Sequence, residues 1–532
     1  MFNLKIFNIR NLFIITVLVY VAAVLLPYAF VTHDGPSHLY NAHIINKLLF
    51  SDGSVFEKYH AINPHWLQPN LSGYLILCFF QLIVPFLWAE KILIALYVLI
   101  FSFGFRFFLK QVSADADWYC LLIFPFILNA ILFWGFYNYL IGMAVSFWFI
   151  GFYEKFRMKS GYARLVQLVF LSLIVCFSHA LVFLFCGLYV FVRIVSDLVS
   201  QAKPKSQILN SAIFQGLIFL PGILLFIFYI FQQKNSPLSF ENGYQIFNRL
   251  SSLWFTIGSL SFTGYSEGSY LKMLYVILII LSVLKFHQIW KFKQRILSPS
   301  FILLGVYFLI YLFMPDSVAG GGIILPRLNL MLFLFWIVWL SEQHLLKFSK
   351  YLILIFYIIS FPVLMLRWSV IESTALHCKS ILNETELQIP ANSTFITVYN
   401  KPIAGYIGNY RVHSYIDLLS KVDNYVAIKN EALTFHNYEA GNYSMVSYFP
   451  VIWKNPKSIG FIWKQLDADH KLEYSDLSEF GKAWNFKAEF LLSIGSFENI
   501  EKSKPVWDAR NEYSILKSDT ANFLKIYTLH LN

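Results

Sequence analysis

From Leu12 to Trp368 the sequence is a succession of apolar runs joined by short polar segments. A helix needs about 20 apolar residues to cross the hydrocarbon of a bilayer. In lipid every backbone N–H and C=O must be paired internally, so only helices and closed barrels span it. Runs of spanning length lie at 12–30, 71–88, 89–109, 118–134, 136–153, 162–178, 180–198, 209–231, 271–290, 298–314, 328–343 and 351–368. Barrel strands would be about ten residues long and would alternate in polarity, which these runs do not. The chain reads as an α-helical polytopic membrane protein. Its 58% apolar and 13% charged residues exclude an ordinary soluble domain and a disordered chain.

Charge gives the expected sidedness. Residues 1–370 hold 25 Lys and Arg against 12 Asp and Glu, whereas residues 371–532 hold 16 against 18. The basic excess belongs to the apolar part, so it is topology charge and no nucleic-acid footprint. Lys155, Arg157, Lys159 and Arg164 form one cluster. Lys203 and Lys205 form a second, near Arg193. Lys285, Lys291, Lys293 and Arg295 form a third, and Lys347 and Lys350 a fourth. Two runs separate each cluster from the next, so all four fit the cytoplasmic side. The amino terminus, with Lys5 and Arg10, is then inside and the polar tail outside. That requires an odd number of spans, eleven or thirteen by the positive-inside pattern, where twelve runs are counted. The run at 71–88 or the run at 118–134 is the one expected to enter only part way.

The sequence divides into a transmembrane domain, 1–370, and an external α/β domain, 371–532. In the tail "STFITVYN", "SIGFIW" and "NFLKIYTLHL" read as strands. The five cysteines show no metal-ligand spacing, and only Cys378 lies in the polar part.

Ionisable groups beside a membrane are costly, so the exceptions carry information. In "VTHDGPSHLYNAHIINKLL", residues 31–49, Asp34, His38 and His43 crowd the end of the first span. Pro36 suits a first helical turn, and Leu39, Ala42, Ile45 and Leu49 fall on one face. This predicts an amphipathic helix over 36–50 lying at the outer interface. Asp34 is either its cap or a functional acid; His43 reads as interfacial. "MPDSVAGGGIILPRLNLM", residues 314–331, joins Asp316 to Arg327 across a glycine-rich loop. Arg327 precedes a span at headgroup depth, where a guanidinium either grips a phosphate or anchors the helix to lipid. Asn138 in "FWGFYNYLIG" and His179 in "FSHAL" occupy tight turns on the same side. P-loop, HExxH, GxSxG and GxGxxG motifs are missing.

A first span followed at once by an external acid and a helix resembles the GT-C-type membrane glycosyltransferases. These include the protein O-mannosyltransferases and the lipid A aminoarabinose transferases. "DGPSHLYNAHII", "GFYNYLIG", "FSHAL" and "PDSVAGGG…PR" also resemble a group of poorly characterised bacterial membrane proteins with this layout. Asp34 matches the family's first-loop acid; the Asp-Glu pair of some branches is replaced here by Asp34-Gly35. The resemblance implies a bacterial inner-membrane protein with a polyprenyl-phosphate-linked sugar as donor. The acceptor, a glycan, lipid or protein, would be met on the outer face. Transfer to a hydroxyl needs a base, assigned to Asp34, and direct displacement implies inversion. A leaving lipid phosphate needs fixed positive charge, assigned to Arg327 with His38 or His179 assisting. Asn138 and Asp316 complete the expected binding residues. No cofactor is expected, and Asp34 with Asp316 is too small a ligand set to define a divalent-cation site. The alternative is a non-catalytic binder of lipid-linked glycans, a flippase component or an assembly scaffold.

Overall fold

The computed structural model describes residues 8–51, 53–64, 67–157, 161–199, 205–232, 246–255, 265–292, 297–315, 322–342, 345–386 and 388–399. In the tail it also describes 406–407, 410–411, 416, 418–437, 440, 450–454, 488–494, 513–518 and 524–529. The loop acid Asp316, "SIGFIW" and most of the glycine-rich stretch before Arg327 lie outside the described residues.

The bundle begins with α1 (Ile9–Leu25), α2 (Gly35–Phe50), α3 (Val55–Tyr59), the short strand β1 (His60–Ile62), α4 (Ser72–Gln81) and α5 (Phe86–Val112). After α6 (Ala116–Tyr119) comes a 3-10 segment, Cys120–Phe126, and then α7 (Ala130–Phe133). The long helices α8 (Tyr137–Phe156), α9 (Tyr162–Ser178), α10 (Ala180–Val199) and α11 (Lys205–Gln232) follow. The bundle closes with α12 (Ile246–Phe255), α13 (Tyr265–Lys291), α14 (Pro299–Phe313), α15 (Ile324–Ser341) and α16 (Lys347–Thr385). By length and composition five described helices can cross a membrane: α5, α10, α13 from Glu267, α15 and α16.

The two weak runs have physical causes. Run 71–88 yields only the 10 residues of α4, about 15 Å of helix against about 30 Å of hydrocarbon. Run 118–134 breaks at Pro125, and Asn129 then caps α7 by accepting from the Ile131 and Leu132 amides. Proline removes an amide donor and crowds the preceding turn, and with the Asn129 cap it ends the helix here, whereas α11 and α16 carry Pro221 and Pro362 without a break. This broken segment is wholly buried in the bundle.

Charges sort to opposite ends of the long helices. At the carboxyl ends of α8 and α10, Arg193 pairs with Glu154 at 2.8 Å and Arg157 pairs with Asp197. Lys285 and Glu342 stand 3.9 Å apart near the ends of α13 and α15. Asp34, Asn138, His179 and Arg327 lie at the other end, beside the start of α8, the α9–α10 turn and the start of α15.

The tail contributes β2 (Thr394–Tyr399), β3 (Tyr406–Ile407), β4 (Tyr410–Arg411), α17 (Val422–Asn430), β5 (Leu433–Thr434), β6 (Val451–Trp453), β7 (Phe490–Ile494), β8 (Tyr513–Ser518) and β9 (Leu524–Leu529). Five strands form a sheet in the order β5-β2-β7-β9-β8, parallel across β5-β2-β7 and antiparallel beyond. β3 and β4 pair as a hairpin. β6 leaves the sheet and pairs antiparallel with β1, placing His60 opposite Trp453.

This exchange corrects the expectation of an interface-lying helix over 36–50. α2 is buried along both faces of its first eight residues. Its apolar side packs toward the bundle. The tail covers its polar side through Asn437 Nδ2, which donates to Asn41 Oδ1 at 2.7 Å, and the Thr434 amide, which donates to Tyr40 Oη at 3.1 Å. The tail also covers the end of the helix, where Lys47 pairs with Glu431 at 2.7 Å. Leu49, expected on the apolar face, is exposed.

Candidate active site

Pro36 starts α2, and Asp34 stands at its capping position. Aspartate there normally accepts from an amide of the first turn. Asp34 does not: its side chain makes no capping hydrogen bond. Its carboxylate is ion-paired through Oδ1 with Lys421 Nζ, just ahead of α17. His33 Nε2 lies 3.8 Å from the same oxygen, and His33 Nδ1 shares a 3.1 Å hydrogen bond with Ser420 Oγ. Burial alone would push the Asp34 carboxyl up. Lys421 first, then His33 and His38, more than offset it and bring the pKa from 3.8 to about 2. Asp34 is therefore charged, and it is a weak proton acceptor while Lys421 stays in place.

The turn 133–137 holds this loop in position. The amides of His33 and Asp34 donate to the carbonyls of Phe133 and Trp134 at 2.8 and 3.1 Å. Gly135 permits the approach. Its φ is +87°, and a Cβ there would come within 2.9 Å of the Asp34 amide nitrogen.

Trp134 and Phe136 carry the contact onward to Arg327. Trp134 packs edge-on against His33 at 5.0 Å and stacks with Phe136 at 6.2 Å. The Arg327 guanidinium lies 4.2 Å from the Phe136 ring centroid, within electrostatic range of Asp34. Tyr139 Oη donates to the Arg327 carbonyl at 2.6 Å. One Arg327 Nη approaches His179 Nε2 at 3.4 Å, while the buried Nε has no partner. His179 Nδ1 already accepts from the Leu181 amide at 3.2 Å. A neutral imidazole has one lone pair, so it cannot accept on both nitrogens. The Arg327–His179 pair thus holds more donors than acceptors.

The other sequence-predicted residues sit in the same contact network. His38 Nδ1 shares a 2.9 Å hydrogen bond with Tyr74 Oη, and its ring also packs on Tyr137. Asn138 Oδ1 accepts from the Gly73 amide at 2.6 Å, pinning the start of α4 to α8. Ser178 Oγ donates to Ser72 Oγ at 2.9 Å and ties the α9–α10 turn to the same point. Asp316 lies outside the described residues. His43 is apart, packed on Phe56, where burial and Lys47 pull its pKa down to about 4. Among the described residues no three His, Cys, Asp or Glu side chains gather as a metal site.

Two groups escaped the sequence reading. Lys421 sits in a polar tail rich in lysine, and nothing local distinguishes it. Glu90 opens α5 beneath the start of α2 and is 1% exposed. It accepts from Tyr137 Oη at 2.5 Å and from Tyr425 Oη of α17. Tyr137 Oη meets Thr32 Oγ1 at 2.8 Å, which accepts from the Gly35 amide at 3.0 Å. A Cβ at residue 35 would collide with Glu90, Thr32 and Tyr137, which accounts for glycine after Asp34. The signal for Glu90 was an acid inside an apolar run, "LWAEKILIAL".

The fold is that of a polytopic helical membrane protein with a mixed α/β tail. A solved structure of like fold is that of ArnT from Cupriavidus metallidurans in the apo state. The match has a TM-score of 0.53 at 10% identity and covers 97% of each chain. Neither a scan of protein-family models nor a search of curated proteins finds a match.

Proposed function

We propose that this protein is a membrane glycosyltransferase that moves a sugar from a polyprenyl-phosphate donor to an acceptor on the tail side of the membrane. Asp34 takes the acceptor's proton as its oxygen attacks the anomeric carbon, with inversion. Arg327 holds the donor phosphate and meets the charge that develops as it leaves. His179 donates to the same phosphate. His38 and Asn138 keep the surrounding helices in register, and Asp316, which precedes Arg327 in the sequence, is a further binding residue. The tail side is the outer face, since the basic ends of the helices belong in the cytoplasm.

One observation carries this reading. A charged acid relieved of capping and an arginine with a buried, unpartnered Nε, one from a loop and one from the first turn of α15 nearly 300 residues on, are gathered onto one end of the bundle. The donor excess at Arg327 and His179 suits an anion, and the bundle has the fold of ArnT. The Lys421 ion pair favours a second reading, a non-catalytic lipid-linked-glycan binder, because it occupies the acid. Glycolipid and glycoprotein analysis after gene deletion separates the two. A glycan lost on deletion, restored by the wild type and not by Asp34→Asn supports the enzyme. Restoration by Asp34→Asn supports the binder.

A further inference from the structure

Transfer by Asp34 and Arg327 leaves Lys421 unused, although it is the cation paired with Asp34. Its side chain is 5% exposed and sits between the tail and the loop that carries the acid. The charged and titratable groups facing Asp34 are Lys421 from the tail, His33 from its own loop, His38 from α2, Arg327 from α15 and Tyr137 from α8. Arg327 is held over Phe136 and against His179. Lysine is a point charge on a flexible four-carbon stem, so it can turn to another anion without moving the backbone. The backbone here is anchored independently: Ser420 bonds His33, Asn424 Nδ2 donates to Ser37 Oγ at 3.5 Å, and Tyr425 bonds Glu90.

We propose that Lys421 is a donor-phosphate ligand. Before the donor binds it neutralises Asp34; when the donor binds it turns to the phosphate and leaves Asp34 free to act as base. This inference rests on the proposed function. The charge balance of transfer suits a mobile cation of this kind. The acceptor O–H bond breaks and its proton goes to Asp34, which passes from −1 to 0. The acceptor oxygen bonds to the anomeric carbon, the anomeric C–O bond breaks, and its electron pair stays on the phosphate. The donor diester, at −1, departs as a monoester at up to −2. One unit of negative charge thus moves from Asp34 to the phosphate, and a cation that follows it favours the products' side. With Lys421 fixed on Asp34, the acid would be held charged and turnover would stall.

The test measures binding of a short-chain polyprenyl monophosphate to the purified full-length protein in lipid nanodiscs. Wild type is compared with Asp34→Asn, Lys421→Met, the double variant and Lys421→Arg. Asp34→Asn frees Lys421 and should bind the phosphate about tenfold tighter, the scale of one charge-assisted hydrogen bond. Lys421→Met should bind about tenfold weaker on the same scale. The double variant should bind like Lys421→Met, because the gain from Asp34→Asn needs Lys421. Lys421→Met strands a buried carboxylate and can impair folding, whereas the double variant removes both charges and Lys421→Arg keeps the cation. Lys421→Arg should retain binding. A tightening by Asp34→Asn that persists when it is combined with Lys421→Met would overturn the inference, since it would be simple loss of repulsion. Wild-type binding by Lys421→Met would also overturn it while leaving the proposed function standing. No binding of polyprenyl phosphate by the wild type would remove both. In transfer assays the acid limb of the pH profile should move upward in Lys421→Met, because the carboxyl has lost the cation that holds it down.

Discussion

Two carboxylates flank the amino end of α2, and α17 of the tail touches both. Asp34 meets Lys421, with His33 and His38 around it. Glu90, one helix below, receives hydroxyl donors from Tyr137 and Tyr425. The first arrangement keeps a charge present and places a lysine cation on it. The second fixes a side chain from two directions with rigid phenols whose own ionisation is suppressed: burial and Glu90 hold the Tyr425 hydroxyl well above the usual range. A group that is to take a proton must be charged beforehand, as the first environment ensures, and must then lose its cation. A group that joins three elements needs the second. The contrast is the ground for proposing Asp34 as the proton acceptor and Glu90 as a positioning residue.

The largest expected effect comes from the acid itself. Asp34→Asn should lower turnover by about 10²–10⁴, the usual worth of a positioned base, with donor binding kept or improved. Arg327→Lys keeps the charge but loses the planar fork, and donor binding should fall by about tenfold, one charge-assisted hydrogen bond, in the same nanodisc assay. Glu90→Gln retains acceptor oxygen for one phenol and strands the other. Turnover and tail docking should both weaken, by less than tenfold in rate and about 1–3 kcal/mol in stability. A loss in Glu90→Gln equal to that in Asp34→Asn would break the contrast. Tyr425→Phe removes one hydroxyl from Glu90 and should cost about 1 kcal/mol with little change in rate.

The smallest effect is the most specific to electrostatics. The folded Asp34 carboxyl is depressed from 3.8 to about 2. Its stabilisation is fully present above the unfolded value and is lost as pH falls through the folded one. Wild type should exceed Asp34→Asn in melting temperature at about pH 5 to 7, and the gap should close between about pH 4 and 2. A gap that instead opened on acidification would mean that Lys421 does not stabilise the charged form.

The bundle was legible because the bilayer leaves few options. Apolar run length and basic clusters were enough for a polytopic helical chain, and Pro125 explains why one run breaks. That Asp34, Arg327, His38, His179 and Asn138 lie toward one end of the bundle was legible from their places in the loops and turns on one side of the apolar runs. Lys421 was not, because its meaning arises only when the tail folds back through β1–β6 and α17 onto the first loop. The same exchange hid the burial of α2: its polar stripe looked like a water-facing side, whereas Asn437 and Thr434 supply the partners that water would have supplied. Glu90 was not singled out in the sequence, because its partners Tyr137 and Tyr425 come from distant elements. Its neighbour Lys91 is buried too and donates to the carbonyls of Leu25 and Pro27.

The central claim is that Asp34 accepts the proton while Glu90 only positions. Single-turnover transfer and donor binding, measured on the same nanodisc preparations of wild type, Asp34→Asn and Glu90→Gln, test it most directly. The account predicts that Asp34→Asn binds donor at least as well as wild type yet transfers at about 10²–10⁴ below it, while Glu90→Gln stays within about tenfold. Transfer by Asp34→Asn at the wild-type rate would contradict it.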